Sequence, residues 1–373
     1  MRKVLSLLLH AALLLLAAFT PLRALAPAGT DSTCILLVNP GRGDIEDMIR
    51  MIETRVVPIE HPLLIAVYGA QVERSGAAIG SHLAEQSPAW LRFEIVEGEL
   101  TPENLYRENP CSQAFRRLFT ESAGALFYGG ADIPPAVYGQ KADLLTAIAT
   151  PERHYFELSF LFHLIGGRQN PGFTPLLEEK PEYAIRAFCL GMQTMNVAAG
   201  GTMVQDIPSE IYKLRFVEDY LALESGKQHD NYWTKLYPHG NFFWCHFQPI
   251  RFEAESPFVR QMGMGREEHP LVCSSHHQAV KKLGRGLQVA ATSLDRKVVE
   301  ALTHKRYRNL LGVQFHPENG AIYAPEGDSH KTAPADTALV TMHDYLKAHG
   351  SLEFHLKFWR HFAAQLQPGA PNE

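Results

Sequence analysis

The sequence predicts an α/β fold in which helices cover both faces of a mostly parallel sheet, with a smaller antiparallel extension. In the first half of the chain, short apolar runs alternate with longer amphipathic stretches. The runs are apolar at nearly every position, which is typical of parallel strands buried on both faces. In the later half, apolar runs follow one another with short connections, and this pattern favours antiparallel pairing.

The first strand is predicted at residues 34–38, before the turn Asn39-Pro40-Gly41. A helix with one apolar face follows, and Asp44 is placed to cap it. That face carries Ile45, Met48, Ile49, Ile52 and Val56. Further strands are predicted at residues 63–68, 91–96, 125–128 and 183–188. Helical stretches separate most of these runs, as the crossover connections of a parallel sheet require.

The later strands are predicted at residues 242–252, 272–274, 287–292, 298–302 and 311–315. A terminal helix at residues 351–367 keeps apolar residues at helical spacing and is expected to pack back on the sheet. Without an internal repeat or a low-complexity linker, residues 29–373 are predicted to form one domain. Surface insertions rich in glycine, proline and charge are predicted near residues 166–181 and 319–336.

Residues 1–28 have the layout of a secretory signal peptide. Basic Arg2-Lys3 precedes an apolar run that ends at Phe19, and Ala26-Pro27-Ala28 offers small residues for cleavage after Ala28. A retained membrane anchor is the alternative, although the run is short for a span, and no later segment has the pattern of one. We therefore expect a periplasmic or secreted protein with no stable membrane span after cleavage.

Composition and charge exclude several classes of function. The chain is 46% hydrophobic and 20% charged, as in an ordinary soluble globular protein. The formal net charge of -5 becomes more negative once the basic leader is removed, which argues against nucleic-acid binding. Five cysteines are present: Cys34, Cys111, Cys189, Cys245 and Cys273. An odd number leaves one thiol free in an oxidising compartment, and one or two disulfides among the others stay open.

Cys189 lies where the predicted strand 183–188 gives way to a helix that runs to Ala199. A thiol at a helix N-terminus faces the partial positive charge of the helix, which favours the thiolate. Gly191 allows a close backbone approach, and the backbone N–H of Leu190 is a natural oxyanion donor. Taken alone, a buried structural cysteine is the more common interpretation.

The tripeptide His316-Pro317-Glu318 predicts a histidine base with an acid beside it. Residues two apart on an extended chain project to the same side, and the residue before proline is driven to an extended conformation. This suits an imidazole whose second nitrogen is oriented by a carboxylate. As an isolated tripeptide, a loop-end histidine with a solvated glutamate is an equally good interpretation.

Gly129 and Gly130 follow the predicted strand 125–128 and so lie at the carboxyl end of a strand, where open parallel sheets bind ligands. Paired glycines leave backbone N–H groups uncovered to meet an oxyanion. A simple turn explains this motif equally well by itself. His276-His277 and the 18 histidines of the chain raise the question of a metal. Because adjacent strand residues point to opposite faces, we predict no metal and no other cofactor.

Together these motifs resemble the class I glutamine amidotransferase-like superfamily, and more closely its gamma-glutamyl hydrolase branch, which includes bacterial gamma-glutamyl-gamma-aminobutyrate hydrolases. The matching segments are residues 128–139, 189–193 with Asn196, 200–202, 205–207, Ser274 with 276–278, and 312–318. The likeness covers most of residues 34–320. The combination is highly specific, even though each segment alone is not.

The resemblance implies a flavodoxin-like α/β fold with a catalytic triad of Cys189, His316 and Glu318. It implies attack of the cysteine on a side-chain amide carbonyl, a glutamyl-thioester and hydrolysis by water. The expected partner is a small gamma-glutamyl substrate, and the oligomeric state is not indicated.

The same resemblance assigns an oxyanion hole and substrate contacts. The oxyanion would be held by backbone N–H groups of Leu190 and of Gly129 or Gly130. Gln193 and His277 fall where the family contacts the glutamyl substrate. These assignments are carried over from the family.

Two departures from the family pattern bear on specificity. Tyr128 stands where the family commonly has proline before the glycine pair. Cys273 stands where the hydrolase branch usually has asparagine before Ser274, near the expected substrate pocket. We therefore expect the leaving-group preference to depend on Cys273 and the two insertions.

The leading hypothesis is an exported gamma-glutamyl hydrolase that acts without a partner. A glutaminase subunit that feeds ammonia to a synthase is the alternative among enzymes, although such synthases are cytoplasmic. A catalytically inactive exported protein that binds a glutamyl ligand is the alternative outside enzymes, because a fold does not guarantee an activity.

Overall fold

The computed structural model describes residues 32–72, 87–253, 256, 259, 262–265 and 267–367. Residues Thr33–Glu373 form one unit by their contacts. The predicted leader at residues 1–28 lies outside the described residues. Among the helices that are described, none is long and apolar enough to cross a membrane.

The strands fall into one large sheet and two small ones. In chain order they are β1 (Thr33–Val38), β2 (Pro62–Gly69), β3 (Leu91–Val96), β4 (Gly124–Phe127), β5 (Ala184–Phe188), β6 (Thr202–Val204), β7 (His246–Phe252), β8 (Leu271–Ser274), β9 (Ala279–Lys282), β10 (Leu287–Ser293), β11 (Val299–His304), β12 (Leu310–Val313), β13 (Ser329–His330) and β14 (Val340–Thr341). β6 pairs with β9 and β13 with β14, each in antiparallel fashion.

The helices lie mostly between the strands of the first half and at the end of the chain. They are α1 (Arg42–Glu53), α2 (Ser112–Glu121), α3 (Pro151–Ile165), α4 (Leu190–Ala198), α5 (Ile207–Glu210), α6 (Val217–Leu221), α7 (Trp233–Leu236), α8 (Met342–Ala348) and α9 (Leu352–Gln365). Short 3-10 turns occur at Pro135–Tyr138, Leu176–Glu178, Ser225–Lys227 and Gly320–Tyr323.

The large sheet has the strand order β3-β2-β1-β4-β5-β12-β11-β10-β7-β8. From β3 to β12 every neighbouring pair is parallel. From β12 to β8 every neighbouring pair is antiparallel. The predicted fold class is therefore confirmed: a mostly parallel sheet carries a smaller antiparallel extension.

The central strands are buried on both faces, which explains why their sequences are apolar at nearly every position. In β1, Leu36 and Val38 belong to one apolar core, while Ile35 and Leu37 belong to a second core on the opposite face. Residues of α2, α3 and α4 fill the first core, and residues of α1 and α9 fill the second. The sheet is thus sandwiched between two helical layers, as expected for parallel strands.

The terminal helix α9 confirms the prediction that the chain end packs back on the sheet. Phe358, Trp359 and Phe362 are fully buried in the second core. Burial of an apolar side chain of this size stabilises the fold by about 1.5–3 kcal/mol. The indole of Trp359 also donates a hydrogen bond of 3.0 Å to the carbonyl oxygen of Pro317. This contact ties the end of the chain to the segment that follows β12.

Two local predictions need correction. The strand expected to start at residue 242 starts at His246, because residues 241–243 pair instead with the backbone around Lys331. The helix expected at Asp44 starts at Arg42 with Gly41 as its N-cap. Asp44 is the third helical residue, and its carboxylate accepts a hydrogen bond of 2.7 Å from the Gly41 N–H. Asp44 therefore supplies the reciprocal half of a capping box, from the third helical position to the N-cap N–H, rather than occupying the cap itself.

The two predicted insertions differ in their relation to the strand ends. Residues 166–181 pack at the far end of α4, where the Arg168 N–H donates to the Ala199 carbonyl. A helix of this length separates that end from Cys189 by about 13 Å, so this insertion does not line the site expected there. Residues 319–336 do approach it, since the hydroxyl of Tyr323 donates a hydrogen bond to the carbonyl of Pro317, next to His316.

Candidate active site

Cys189 lies between β5 and α4, as the sequence predicted. Its backbone has φ 48° and ψ -105°, a left-handed conformation that a residue with a side chain rarely adopts. Such a conformation costs about 1–3 kcal/mol and persists only where the surrounding fold imposes it. Gly191 allows the tight turn, because a Cβ at that position would lie 2.4 Å from the Phe127 carbonyl oxygen.

The thiol of Cys189 is nearly enclosed, with 5% of the residue exposed. Its backbone N–H donates to the Val313 carbonyl at 2.8 Å, which links the end of β5 to the end of β12. The side-chain amide of Gln314 points at the sulfur at 3.6 Å, and the Ser275 carbonyl lies 4.0 Å from it. Cys189 is therefore held by groups from two separate segments, residues 313–314 and Ser275.

His316 and Glu318 lie side by side, as the extended tripeptide predicted. His316 Nδ1 is 2.8 Å from Glu318 Oε1. The backbone N–H of His316 donates to the Cys273 carbonyl at 2.9 Å. The carbonyl of Pro317 accepts hydrogen bonds from the side chains of Tyr323 and Trp359. These contacts hold the tripeptide in the conformation that joins the two side chains.

The other side of the His316 ring lies beside Cys189, since a Cβ on Gly129 would approach both side chains, and the interaction with Cys189 raises the pKa of His316. Burial by itself lowers the pKa of His316. The Glu318 carboxylate and the Cys189 thiol outweigh burial, so the pKa of His316 lies well above its usual value. The arrangement therefore favours an imidazolium that is paired with sulfur on one side and with a carboxylate on the other.

Gly129 and Gly130 lie directly against these side chains. A Cβ on Gly129 would be 2.9 Å from His316 Cε1 and 3.7 Å from the Cβ of Cys189. A Cβ on Gly130 would be 2.9 Å from the side chain of Leu190 and 2.6 Å from Arg153 Nη1. Glycine is therefore needed at both positions, and the backbone of this pair is within reach of anything bound at the sulfur.

Arg153 supports the glycine pair from behind. It donates a hydrogen bond of 2.8 Å to the Gly129 carbonyl and one of 2.7 Å to Glu157 Oε1. Glu157 is fully buried and also accepts a bond from Asn39. Both charged residues come from α3, a helix whose residues are mostly buried. An arginine and a glutamate four residues apart in a mostly apolar helix form a pair on one helix face, and this pattern could have identified Arg153 and Glu157 from the sequence.

Gln193 lies one turn into α4 and is buried below Cys189. Its side-chain nitrogen is 3.5 Å from Gln314 Oε1, a long contact. Gln314 in turn approaches the sulfur of Cys189. The sequence singled out Gln193 by family resemblance, whereas Gln314 emerges as a site residue from the structure.

His277 is held between two carboxylates. Its Nε2 lies 3.0 Å from Asp132 Oδ2, and its Nδ1 lies 3.2 Å from Asp206 Oδ1. Burial lowers the pKa of His277, but the hydrogen bonds that its ring donates to these carboxylates outweigh burial and raise the pKa to about 9. Both ring nitrogens are therefore occupied. His276 and His277 lie in the loop after β8 rather than in a strand, and His276 points away into a separate buried cluster.

Cys273 does not line the site, contrary to the expectation from its place in the family pattern. Its side chain is 0% exposed and packs with Phe243, Cys245 and Phe247 in a small separate core. Only its backbone carbonyl contacts the site, through His316. All five cysteines are described and each is a free, buried thiol.

Trp244 is an exposed aromatic residue at the site that the sequence did not single out. Its ring centroid lies 5.2 Å from that of His316, in an edge-to-face arrangement. The residue is 43% exposed. It was hidden in the sequence because residues 242–252 were predicted as one continuous strand, whereas Trp244 precedes β7.

Comparisons with known proteins give one family match and several relatives. Residues 108–318 match the family model described as Peptidase C26. The glutamine amidotransferase-like protein YvdE of Lactococcus lactis subsp. lactis is 29% identical over 190 residues, which cover 51% of this chain and 63% of that protein. A Mycobacterium tuberculosis protein named as a glutamine amidotransferase is 30% identical over 190 residues, which cover 51% of this chain and 48% of that protein.

A glutamine amidotransferase-like protein of Rickettsia prowazekii is 25% identical over 220 residues, which cover 51% of this chain and 68% of that protein. The matches therefore span between about half and two thirds of these relatives' own lengths. They support a function of hydrolase or amidotransferase type. Since the family model covers more than half of the sequence, the chain belongs to the Peptidase C26 family, within the class I glutamine amidotransferase-like superfamily.

Proposed function

We propose that this protein is an exported gamma-glutamyl hydrolase with Cys189 as nucleophile, His316 as general acid and base, and Glu318 as the residue that orients His316. The observation that carries the proposal is the contact chain from the sulfur through the imidazole to the carboxylate, built on a strained turn at the helix start. The proposal of export rests on the leader motif at residues 1–28.

In the proposed reaction, the Cys189 sulfur bonds to the carbonyl carbon of a side-chain amide. The C–N bond then breaks as His316 delivers a proton to the leaving amine, and a glutamyl-thioester remains on the sulfur. A water molecule gives a proton to His316 and attacks the thioester. The C–S bond breaks, which returns the thiol and releases glutamate.

The negative charge on the carbonyl oxygen is proposed to be held by backbone N–H groups of Leu190 and of Gly129 or Gly130. Leu190 is the first residue of α4, so its N–H has no acceptor within the helix. Arg153 fixes the glycine pair through the Gly129 carbonyl and acts as a positioning residue. Preorganised donors of this kind supply a large part of the rate in acyl transfer.

The glutamyl half of the substrate is proposed to contact the region of Gln193 and His277. Because both ring nitrogens of His277 are bonded to carboxylates, we propose that it shapes the pocket rather than donating a ring N–H to the substrate. On the leaving-group side, Trp244 replaces Cys273 as the proposed contact. His316 must reach the leaving amine, so the residue that packs on His316 lies beside that amine.

The test is hydrolysis by the purified mature protein in the absence of any partner. We expect a higher kcat/KM for gamma-glutamyl amines or peptides than for free glutamine, which releases only ammonia. Glutamine as the best substrate, or activity that depends on a synthase, would favour the glutaminase function that the names of the relatives suggest. Binding of glutamyl ligands without turnover would identify the protein as an inactive binding protein.

Gly129→Ala is expected to lower kcat by at least about tenfold. The added Cβ would lie 2.9 Å from His316 Cε1 and would push the imidazole away from Cys189. Steady-state kinetics, with far-UV circular dichroism to verify the fold, measures this. Gly43→Ala is the matched control, because a Cβ there meets nothing within 4 Å. Equal activity of the two variants would show that the space beside His316 is not required.

Trp244→Ala is expected to lower kcat/KM for substrates with bulky leaving groups by about tenfold, because an apolar contact of this kind contributes about 1–3 kcal/mol to discrimination. Hydrolysis of free glutamine should change little, since ammonia does not reach the indole. Trp244→Phe keeps an aromatic ring and should retain most of the preference. The ratio of the two kcat/KM values measures the effect, and an equal loss on both substrates would argue for a role in holding His316 instead.

A further inference from the structure

A second cluster of polar side chains lies behind the active-site loop, and the proposed hydrolysis does not use it. It consists of His229, His276 and Glu300, which come from two loops and from β11. The side chains of all three are buried to 98% or more. One nitrogen of each histidine and one carboxylate oxygen lie within 4.8 Å of one another. Among the described residues, no other set of three histidine, cysteine or acidic side chains lies close enough together to share an ion.

The hydrogen bonds of His276 fix which of its nitrogens carries a proton. Nδ1 lies 2.8 Å from the carbonyl oxygen of Gln278, which can only accept, so Nδ1 carries the hydrogen. In the neutral ring, Nε2 then presents a lone pair. That lone pair faces Glu300 Oε2 at 3.9 Å, and both atoms lack a hydrogen-bond partner in the described structure. Two acceptors therefore point at each other.

The same reasoning applies to His229. The hydroxyl of Tyr212 donates its one proton to Asp295 at 3.1 Å, so it can only accept from His229 Nε2, which lies 3.5 Å away. His229 Nδ1 is then left with a lone pair, 3.1 Å from Glu300 Oε1, and forms no hydrogen bond with any described residue. Gln248 donates to Glu300 Oε1 and holds the carboxylate in place.

Three lone-pair donors thus converge in a buried space that holds one formal negative charge. Burying a carboxylate and two acceptors without a counter-charge is strongly unfavourable, and within the described part of the chain no lysine or arginine pairs with Glu300. A metal cation satisfies all three atoms at once. We propose that His229, His276 and Glu300 bind one zinc ion.

Zinc is the ion that this ligand set favours. Two imidazole nitrogens and one carboxylate oxygen are a common three-residue set for zinc, with a water or a further oxygen at the fourth position. Magnesium and calcium prefer sites made of oxygen alone. The side-chain oxygen of Gln248 is buried without a partner in the described structure and is a candidate for the fourth ligand.

The ion would hold the active-site loop without touching the substrate. The backbone N–H of His276 donates to the His229 carbonyl at 3.0 Å, so the two ligand loops already meet. The carbonyl of Ser275, beside His276, approaches Cys189, and the carbonyl of Glu300 accepts from the backbone N–H of Gln314. Ser275 and Gln314, which adjoin the cluster, therefore both contact Cys189. The zinc would be structural, and its effect on catalysis would be indirect.

The experiment measures zinc in the mature protein, purified without a polyhistidine tag and dialysed against metal-free buffer. Inductively coupled plasma mass spectrometry should find one zinc per chain in the wild type. The Glu300→Gln variant should retain at most about one-tenth as much zinc per chain, because loss of an anionic ligand weakens zinc binding. His355→Gln is the matched control, since His355 is a fully buried histidine that bonds the Leu271 carbonyl outside the cluster. It should keep its zinc.

A thermal measurement on the wild-type protein does not depend on whether any variant folds. After removal of metal with dipicolinate, zinc added at roughly 100 times its Kd should raise Tm by about 4 °C. Less than about one-tenth of a zinc per chain, together with no rise in Tm, would overturn the proposal and leave a proton shared among the three side chains. Neither readout uses turnover, so the zinc site and the hydrolase activity can fail independently.

Discussion

Replacing Cys189 by serine is expected to lower kcat/KM by about a thousandfold or more. The thiolate is the nucleophile of this class of reaction, and a serine hydroxyl does not ionise near neutral pH. The contacts around the sulfur are also set for a larger atom, with Gln314 at 3.6 Å and the Ser275 carbonyl at 4.0 Å. A hydroxyl oxygen on a shorter bond would lose both contacts.

The measurement is kcat/KM on the best gamma-glutamyl substrate, with intact-protein mass spectrometry after a glutamine-like chloroketone. The wild type should gain one label, and Cys189→Ser should gain none. Cys111→Ser is the matched control, because Cys111 is also a buried free cysteine and its thiol lies away from the proposed site, 3.7 Å from the Glu97 carbonyl. Retention of more than a few per cent of wild-type activity in Cys189→Ser would contradict the assignment of the nucleophile.

The central part of the fold follows from the sequence because burial on both faces leaves a simple pattern. Each of the strands β1, β4 and β5 contacts a helical layer on either side, so almost no polar residue is tolerated in them. The three motifs of the proposed active site also follow such runs closely. Gly129 comes shortly after β4, Cys189 directly after β5 and His316 shortly after β12, and these strands are neighbours in the sheet.

The remaining features depend on contacts between segments that are far apart in the sequence. Trp244 was predicted within a strand, and it leaves the strand only because residues 241–243 pair with Lys331. Arg153 was not singled out from the sequence, because its partner Gly129 lies 24 residues away in the chain. The lone pairs of His229 and His276 become significant only through the hydrogen bonds that fix their protons.

Substitutions at His316 and Glu318 are expected to be unequal. His316→Ala removes the group that protonates the leaving amine and activates the water, so the loss in kcat should approach that of Cys189→Ser. Glu318→Gln keeps an oxygen that can accept from His316 Nδ1, which lies 2.8 Å from the carboxylate. The loss in kcat for Glu318→Gln should be smaller by about ten- to a hundredfold, because the acid only orients the imidazole and stabilises its positive charge.

The pH dependence separates these roles. Burial lowers the pKa of His316, and the carboxylate of Glu318 together with the thiol of Cys189 raises it well above its usual value. Removing the negative charge in Glu318→Gln must therefore lower the pKa of His316, so that the imidazolium loses its proton at lower pH. The alkaline limb of the profile of kcat/KM against pH, which reports on the coupled cysteine and histidine, should shift to lower pH. An unshifted limb, or a greater loss of activity in Glu318→Gln than in His316→Ala, would show that Glu318 is not the residue that supports the imidazolium.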